Sequence, residues 1–199
     1  MNEYKWKSHI ARFLSAQTIS LLGSSIVQYA IIWYITLTTS SGKMITLSTL
    51  CGFLPQILIS LFAGVWIDRY SRKGIVMITD CFIASATLIL AVFFLTGHKN
   101  IELLLVVLAI RSAGTGIQTP AVNAIIPQIV PQKYLMQVNG FNSTLSSIIM
   151  FVSPAISGAI LSIATLEATL FIDIFTALVG VSITSTVPVK PLNIEVRMT

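Results

Sequence analysis

Six stretches of this sequence stay apolar for about the 20 residues that carry a helix across some 30 Å of hydrocarbon, and short polar connections separate them. They run over residues 13–37, 44–67, 74–96, 103–126, 136–163 and 168–187. The first, second and fifth contain no charge; the third holds only Asp80, the fourth only Arg111 and the sixth only Asp173. Lipid offers no hydrogen bonds, so each segment must satisfy its own backbone, which makes uncharged runs of this length helices rather than strands. The expected fold class is all-α: a polytopic membrane protein, one six-transmembrane-helix bundle over residues 1–199, with no linker or separate polar domain. The first run is too long for the core of a secretory leader and no small-residue cleavage site closes it, so it is expected to stay as a span.

Composition agrees with this pattern. Only 10% of the chain is Asp, Glu, Lys or Arg and 55% is hydrophobic, with a mean hydropathy of +0.88. The net charge of +5 does not indicate nucleic acid, because the bases are scattered between apolar runs rather than gathered on one solvated face. Their distribution sets an orientation instead. One side receives Lys5, Lys7, Arg12, Arg69, Arg72, Lys73, Lys133, Lys190 and Arg197; the other receives Lys43 and Lys99. Both termini are therefore expected in the cytoplasm of a cell-membrane protein. Cys51 and Cys81 lie in apolar runs and carry no redox information, and His9 and His98 have no partner at ligand spacing, so no metal or cofactor is implied. An intramembrane enzyme is disfavoured because no span pairs a nucleophile with a base.

The bases and the acid concentrated in Gly64-Val-Trp-Ile-Asp68-Arg69-Tyr-Ser-Arg72-Lys73 do more than anchor a turn. Gly64, one turn before Asp68, allows a neighbouring helix to approach, and Asp68 is placed to bond an opposing helix N-terminus or Arg72. This stretch resembles the motif G-x-x-x-D-R-x-G-R-[RK] between the second and third helices of the major facilitator superfamily. Arg111-Ser-Ala-Gly114-Thr-Gly116 is similar to the family's fourth-helix arginine element, and Ser153-Pro154-Ala-Ile-Ser157-Gly158 to its antiporter G-P-x-x-G motif. The run RSAGTGIQTPAVNAIIPQIVP resembles the macrolide and multidrug efflux branch. Ser71 and Ser153 stand where the family pattern has glycine.

The resemblance implies one half of a major facilitator fold, six of twelve spans, with the third and sixth helices peripheral. It implies a secondary active transporter, expected to be proton-coupled efflux of macrolides or other amphipathic drugs, present as an N-terminal half; the favoured account of its length is truncation. The alternative is a non-transporting remnant or an assembly partner that needs a second six-helix half or another copy of itself.

Charge inside a span costs about 2.5–3.5 kcal/mol, so Arg111, Asp173 and Asp80 are the candidate transport and coupling residues. Counted from the span ends, Arg111 lies about 12 Å and Asp173 about 7 Å from the outer face, and Asp80 about 9 Å from the inner one. Arg111 is expected to line the cavity and tune one of the two carboxylates for proton carriage. Gly64, Asp68, Arg69, Arg72 and Lys73 are the candidate gating motif. Small residues at one-turn spacing, Ser143, Ser147, Ser157 and Gly158, with Ser153 and the helix-bending Pro154, mark a tight contact or hinge on the fifth span. Gln17, Ser20, Ser24, Ser25 and Gln28 are costly facing lipid, and Gln17, Ser24 and Gln28 are expected to line the pathway. Trp33 and Tyr34 fit an interfacial belt. Asn142-Ser-Thr144 has a glycosylation spacing but falls at the cytoplasmic end of a span.

Overall fold

A computed structural model describes residues 3–189, with side chains from Trp6 onward. Lys5, Lys190 and Arg197 of the charge count lie outside the described side chains. Six helices follow one another: α1 Glu3–Thr39, α2 Gly42–Arg69, α3 Arg72–Leu95, α4 Ile101–Ile129, α5 Leu135–Ile163 and α6 Leu166–Thr186, with one 3-10 turn, Gln132–Tyr134, before α5. All six are long and apolar enough to cross a membrane, and no strand occurs among the described residues.

Helices and apolar runs differ most in α1, which begins at Glu3 rather than Phe13. Hydropathy measures the part suited to lipid, whereas the helix continues wherever a neighbour supports it. Trp6, Ile10, Phe13 and Leu14 recur every three or four residues and are all buried against the ends of α2, α3 and α4. Trp6 also stacks on Tyr134, ring centroids 5.2 Å apart.

The turns are closed by local chemistry. Ser71 is the N-cap of α3, its hydroxyl accepting the Gly74 amide at 3.4 Å, with φ of −60°. That conformation does not require glycine, and the serine supplies a cap that glycine cannot. Gly97, at φ +87°, ends α3 with its own amide and that of His98 turned back to the Phe94 and Phe93 carbonyls. Thr165 caps α6 by accepting the Ala168 amide. On the α3–α4 connection, Lys99 Nζ meets Glu167 Oε1 at 2.7 Å, which holds the lysine above its ordinary range, chiefly through that hydrogen bond. Because the Lys99 side chain is half exposed and its ion pair lies at the surface, Lys99→Ala is expected to leave the melting temperature of the purified protein unchanged.

Packing interleaves the first three helices with the last three. α2 lies chiefly on α4, α1 on α6 and α5, and α3 on α4 and α6, whereas the sequence neighbours α2–α3 and α5–α6 scarcely touch. Exchanging α1, α2, α3 for α4, α5, α6 maps the α2–α4 contact onto α5–α1 and the α1–α6 contact onto α4–α3, an internal relation the residues themselves do not display. α3 and α6 pack on one another as well as on α1 and α4, while α2 and α5 are the least buried helices and carry the long exposed apolar faces.

Two apolar clusters bracket a polar layer. One, at the end holding the start of α1 and the α2–α3 turn, contains Phe13, Ile67, Val76, Ile126 and Ile129; the other, at the opposite end, contains Ile31, Ile35, Leu90, Phe94, Leu104 and Leu170.

Candidate functional site

Among the described residues every buried charge lies between those clusters. Arg111, Asp173 and Asp80 are 1%, 2% and 3% exposed. Arg111 Nη1 donates to Asp173 Oδ2 and to Thr87 Oγ1, and its Nη2 to both the backbone oxygen and the hydroxyl of Ser24, each at 3.0 Å. Thr87 Oγ1 donates to Asp173 Oδ2 at 2.6 Å. One guanidinium therefore joins α1, α3, α4 and α6, the arrangement by which a charge is held in a medium of low dielectric. Arg111 and Asp173, the two charges closest in depth by sequence, are the two that pair.

Asp80 stands apart from this pair. Its Oδ1 accepts from Ser20 Oγ and from Gln118 Nε2, both at 2.6 Å, while its buried Oδ2 has no hydrogen-bond partner. No lysine or arginine among the described residues forms an ion pair with it.

Beside Asp80, between α1, α4 and α5, is a cavity of about 320 Å³. Its polar wall is made of Gln17, Gln118, Asn123, Asn142 and the hydroxyls of Thr18, Ser143 and neighbouring serines, and Leu21, Val122 and Ile149 form the apolar part. Among the described residues no charged side chain lines it. Arg111, expected to line a central cavity, is not part of this wall: its Nη1 and Nη2 are taken by Asp173, Thr87 and Ser24, while its Nε is buried without a partner. Of the three residues expected to line the pathway, Gln17 does so, its amide also donating to Thr184 Oγ1 at 3.3 Å. Ser24 serves Arg111 instead. Gln28 Nε2 donates to the Gly52 carbonyl at 2.6 Å, and the Gln56 amide goes to Ser112 Oγ at 3.0 Å, so side chains from α1 and α4 satisfy α2 on either side of Pro55, where the helix ladder is interrupted.

The small-residue side of α5 divides in two. Ser143 and Ser147 face the cavity. Ser157 donates to Ile26 O of α1 at 2.7 Å, Trp33 Nε1 donates to Pro154 O at 3.1 Å, and a Cβ placed on Gly158 would rest 3.7 Å from the Trp33 indole. Trp33, read from sequence as a belt residue, also joins α1 to α5. Ser153 is fully buried with an unpartnered hydroxyl. Asn142 Nδ2 reaches Asn123 Oδ1 at 3.3 Å across the cavity wall.

At the α2–α3 turn, Asp68 meets Arg72 at 3.7 Å and is largely exposed. Arg72 Nη1 donates to Ala124 O at 2.8 Å, and Lys73 Nζ to Ser185 O and Val187 O, both at 2.8 Å. These bases fasten the turn to α4 and to the C-terminal end of α6, where backbone carbonyls lack helical donors. Arg69 is exposed, and a Cβ on Gly64 would meet nothing within 4 Å, so the close approach expected there is not made inside this chain.

Sequence reasoning missed Gln118, Thr87 and Ser112. All three lie on the polar side of an otherwise apolar helix, but nothing in a single sequence indicates which buried group each one meets.

The family model for transmembrane secretion effectors matches residues 7–191. The chain belongs to the major facilitator superfamily. It is 35% identical to macrolide efflux protein A of Streptococcus pyogenes over 181 residues, 90% of this chain and 45% of that protein. It is 36% identical to macrolide efflux protein A of Enterococcus faecalis over 139 residues, 70% of this chain and 43% of that protein. The staphyloferrin A transporter of Staphylococcus aureus is 26% identical over 153 residues, 76% of this chain and 38% of that protein. The chain thus spans less than half the length of these relatives, is a multi-pass membrane protein of the macrolide efflux branch, and has the helices of one major facilitator half.

Proposed function

We propose that this six-helix unit is the N-terminal half of a proton-coupled exporter of macrolides or other amphipathic compounds, with both termini in the cytoplasm. One observation carries the reading: a buried carboxylate, Asp80, with one oxygen unpartnered and no cation beside it, lies one side chain behind a cavity whose polar wall is uncharged. Such an acid exchanges a proton without first breaking an ion pair, whereas Asp173 is engaged by Arg111 and Thr87. Asp80 is therefore the proton carrier in this reading, and the Arg111–Asp173 pair pins the four central helices. Amides, hydroxyls and aliphatic carbons suit a bulky, partly apolar substrate bearing hydrogen-bonding groups. The open faces of α2 and α5 favour a second six-helix unit, covalent or assembled, across the cavity.

Accumulation of a labelled macrolide in susceptible bacteria tests this. Expression of the chain together with the second half of the S. pyogenes relative is expected to lower accumulation, and a protonophore to reverse the effect. Asp80→Asn is expected to abolish the protonophore-sensitive part while the protein still inserts in the membrane. Retained proton-dependent export in Asp80→Asn sinks Asp80 as carrier, and the same result in Asp173→Asn sinks any carrier role for Asp173. Export by the chain alone, with an oligomer on crosslinking, would favour assembly of copies of itself.

A further inference from the structure

Gln118 touches both parts of the site. Its Nε2 donates to Asp80 Oδ1 at 2.6 Å, and the same side chain lines the cavity, where no described residue donates to its Oε1. An ionised carboxylate only accepts hydrogen bonds, so beside it the amide must turn its NH2 inward and leave its oxygen toward the cavity. A carboxyl protonated on Oδ1, the oxygen Gln118 faces, has an O–H to give, for which the amide oxygen is the better acceptor. Turning the amide over to meet it leaves the NH2 facing the cavity.

We propose that Gln118 reports the protonation state of Asp80 to the cavity as a change in hydrogen-bond polarity, an acceptor when Asp80 is ionised and a donor when it is protonated. This rests on the exporter reading above and deepens it. A ligand presenting a group that only donates, such as an ammonium, binds the first state and competes with the proton although it never touches Asp80, whereas a hydroxyl, donor and acceptor at once, satisfies either state. That mutual exclusion is the coupling an antiporter needs, because each ligand then weakens the other by the same factor. The surroundings leave Asp80 as the group that responds. Of the elements packed around it, α4 carries Arg111 and, in its first turn, Glu102; α6 carries Asp173, which faces Arg111, and, in its first turn, Glu167, which faces Lys99; α1 has no charged side chain after Arg12 and only Tyr29 and Tyr34 to titrate; α2 has only Cys51 between Lys43 and Asp68; α5 has no charged side chain; on α3 itself Arg72 and Lys73 are held at its first turn and Cys81 is exposed.

The test is equilibrium binding of erythromycin, a macrolide bearing sugar hydroxyls and an amine, to the purified chain in lipid nanodiscs from mildly acid to mildly alkaline pH. In the wild type the apparent affinity is expected to fall about tenfold per pH unit on the acid side, the slope of strict competition with one proton. Asp80→Asn removes that slope, which the drug's own amine cannot mimic, because its protonation on the acid side adds a donor and acts in the opposite direction. Gln118→Met, similar in volume, is expected to bind with a flat profile, whereas Ser20→Ala, which takes a donor from the same carboxylate oxygen without lining the cavity, keeps the slope. Melting curves confirm that each variant is folded. A wild-type slope in Gln118→Met, or its equal loss in Ser20→Ala, overturns the relay and leaves Asp80 as the proton site. A slope that persists in Asp80→Asn overturns the proton site itself, and absence of saturable binding by the wild type overturns the cavity as the ligand site; the relay falls with either.

Discussion

Arg111→Leu is expected to destabilise the protein by about 3–5 kcal/mol, the cost of leaving a buried carboxylate without its cation. Asp173 would keep only Thr87 as a donor, in a site 2% exposed, and Ser24 of α1 would lose the guanidinium that links it to α4. The loss is read as a fall in the melting temperature and in the folded yield after detergent extraction. Arg111→Leu with Asp173→Leu is expected to recover most of that stability, because two apolar side chains of similar bulk need neither solvation nor each other's charge. The double variant separates the pair's structural role from transport. If it folds and, assembled with a second half, still exports a macrolide in a proton-dependent way, the pair is a pin and nothing more. An Arg111→Leu single variant that melts with the wild type would show that the charge network contributes nothing to the bundle.

Gly116→Ala should weaken the α2–α4 interface by about 1–3 kcal/mol, the usual cost of overpacking a filled contact. A Cβ there would lie 2.7 Å from the Gln56 carbonyl oxygen and 3.0 Å from its Cα, so it meets backbone that no rotamer change can move. The same substitution at Gly114 meets the Ile83 side chain, at 2.7 Å, which has some freedom to turn aside, and at Gly64 it meets nothing. Melting temperatures of the three alanine variants should therefore fall in the order Gly116, Gly114, Gly64, the last being indistinguishable from wild type in this chain. Equal effects at Gly116 and Gly64 would contradict the close α2–α4 approach. The approach matters to the site because Ser112, one helical turn before Gly116, accepts the Gln56 amide and keeps α2 continuous past Pro55.

The sequence shows the membrane fold and the list of charges that must be sheltered, since both follow from residue type and run length alone. Twenty apolar residues have one inexpensive state in lipid, and a lone Asp80, Arg111 or Asp173 within them must face protein or water. Helical rise converts sequence position into depth, which put Arg111 and Asp173 at the closest levels but left open whether Asp173 or Asp80 meets the arginine. Depth says nothing about azimuth. Ser24 and Gln28 have the same polar character as Gln17, but only Gln17 faces the cavity, because the rotation of α1 against α2, α4 and α6 decides which polar group meets which.

Residue chemistry by itself thus determined six helices, their burial in lipid, and a small set of costly polar groups that had to be neutralised in pairs or left beside a cavity. Only the tertiary structure decided that Asp173 takes the guanidinium and Asp80 is left with two neutral donors and a free oxygen, that Gln118 spans acid and cavity, and that Ser71 caps a helix where the family pattern has glycine. The reason is physical. Hydrophobic burial fixes how far along the membrane normal each residue sits, while the pairing of buried polar groups depends on how helices rotate against one another, which distant parts of the chain settle together.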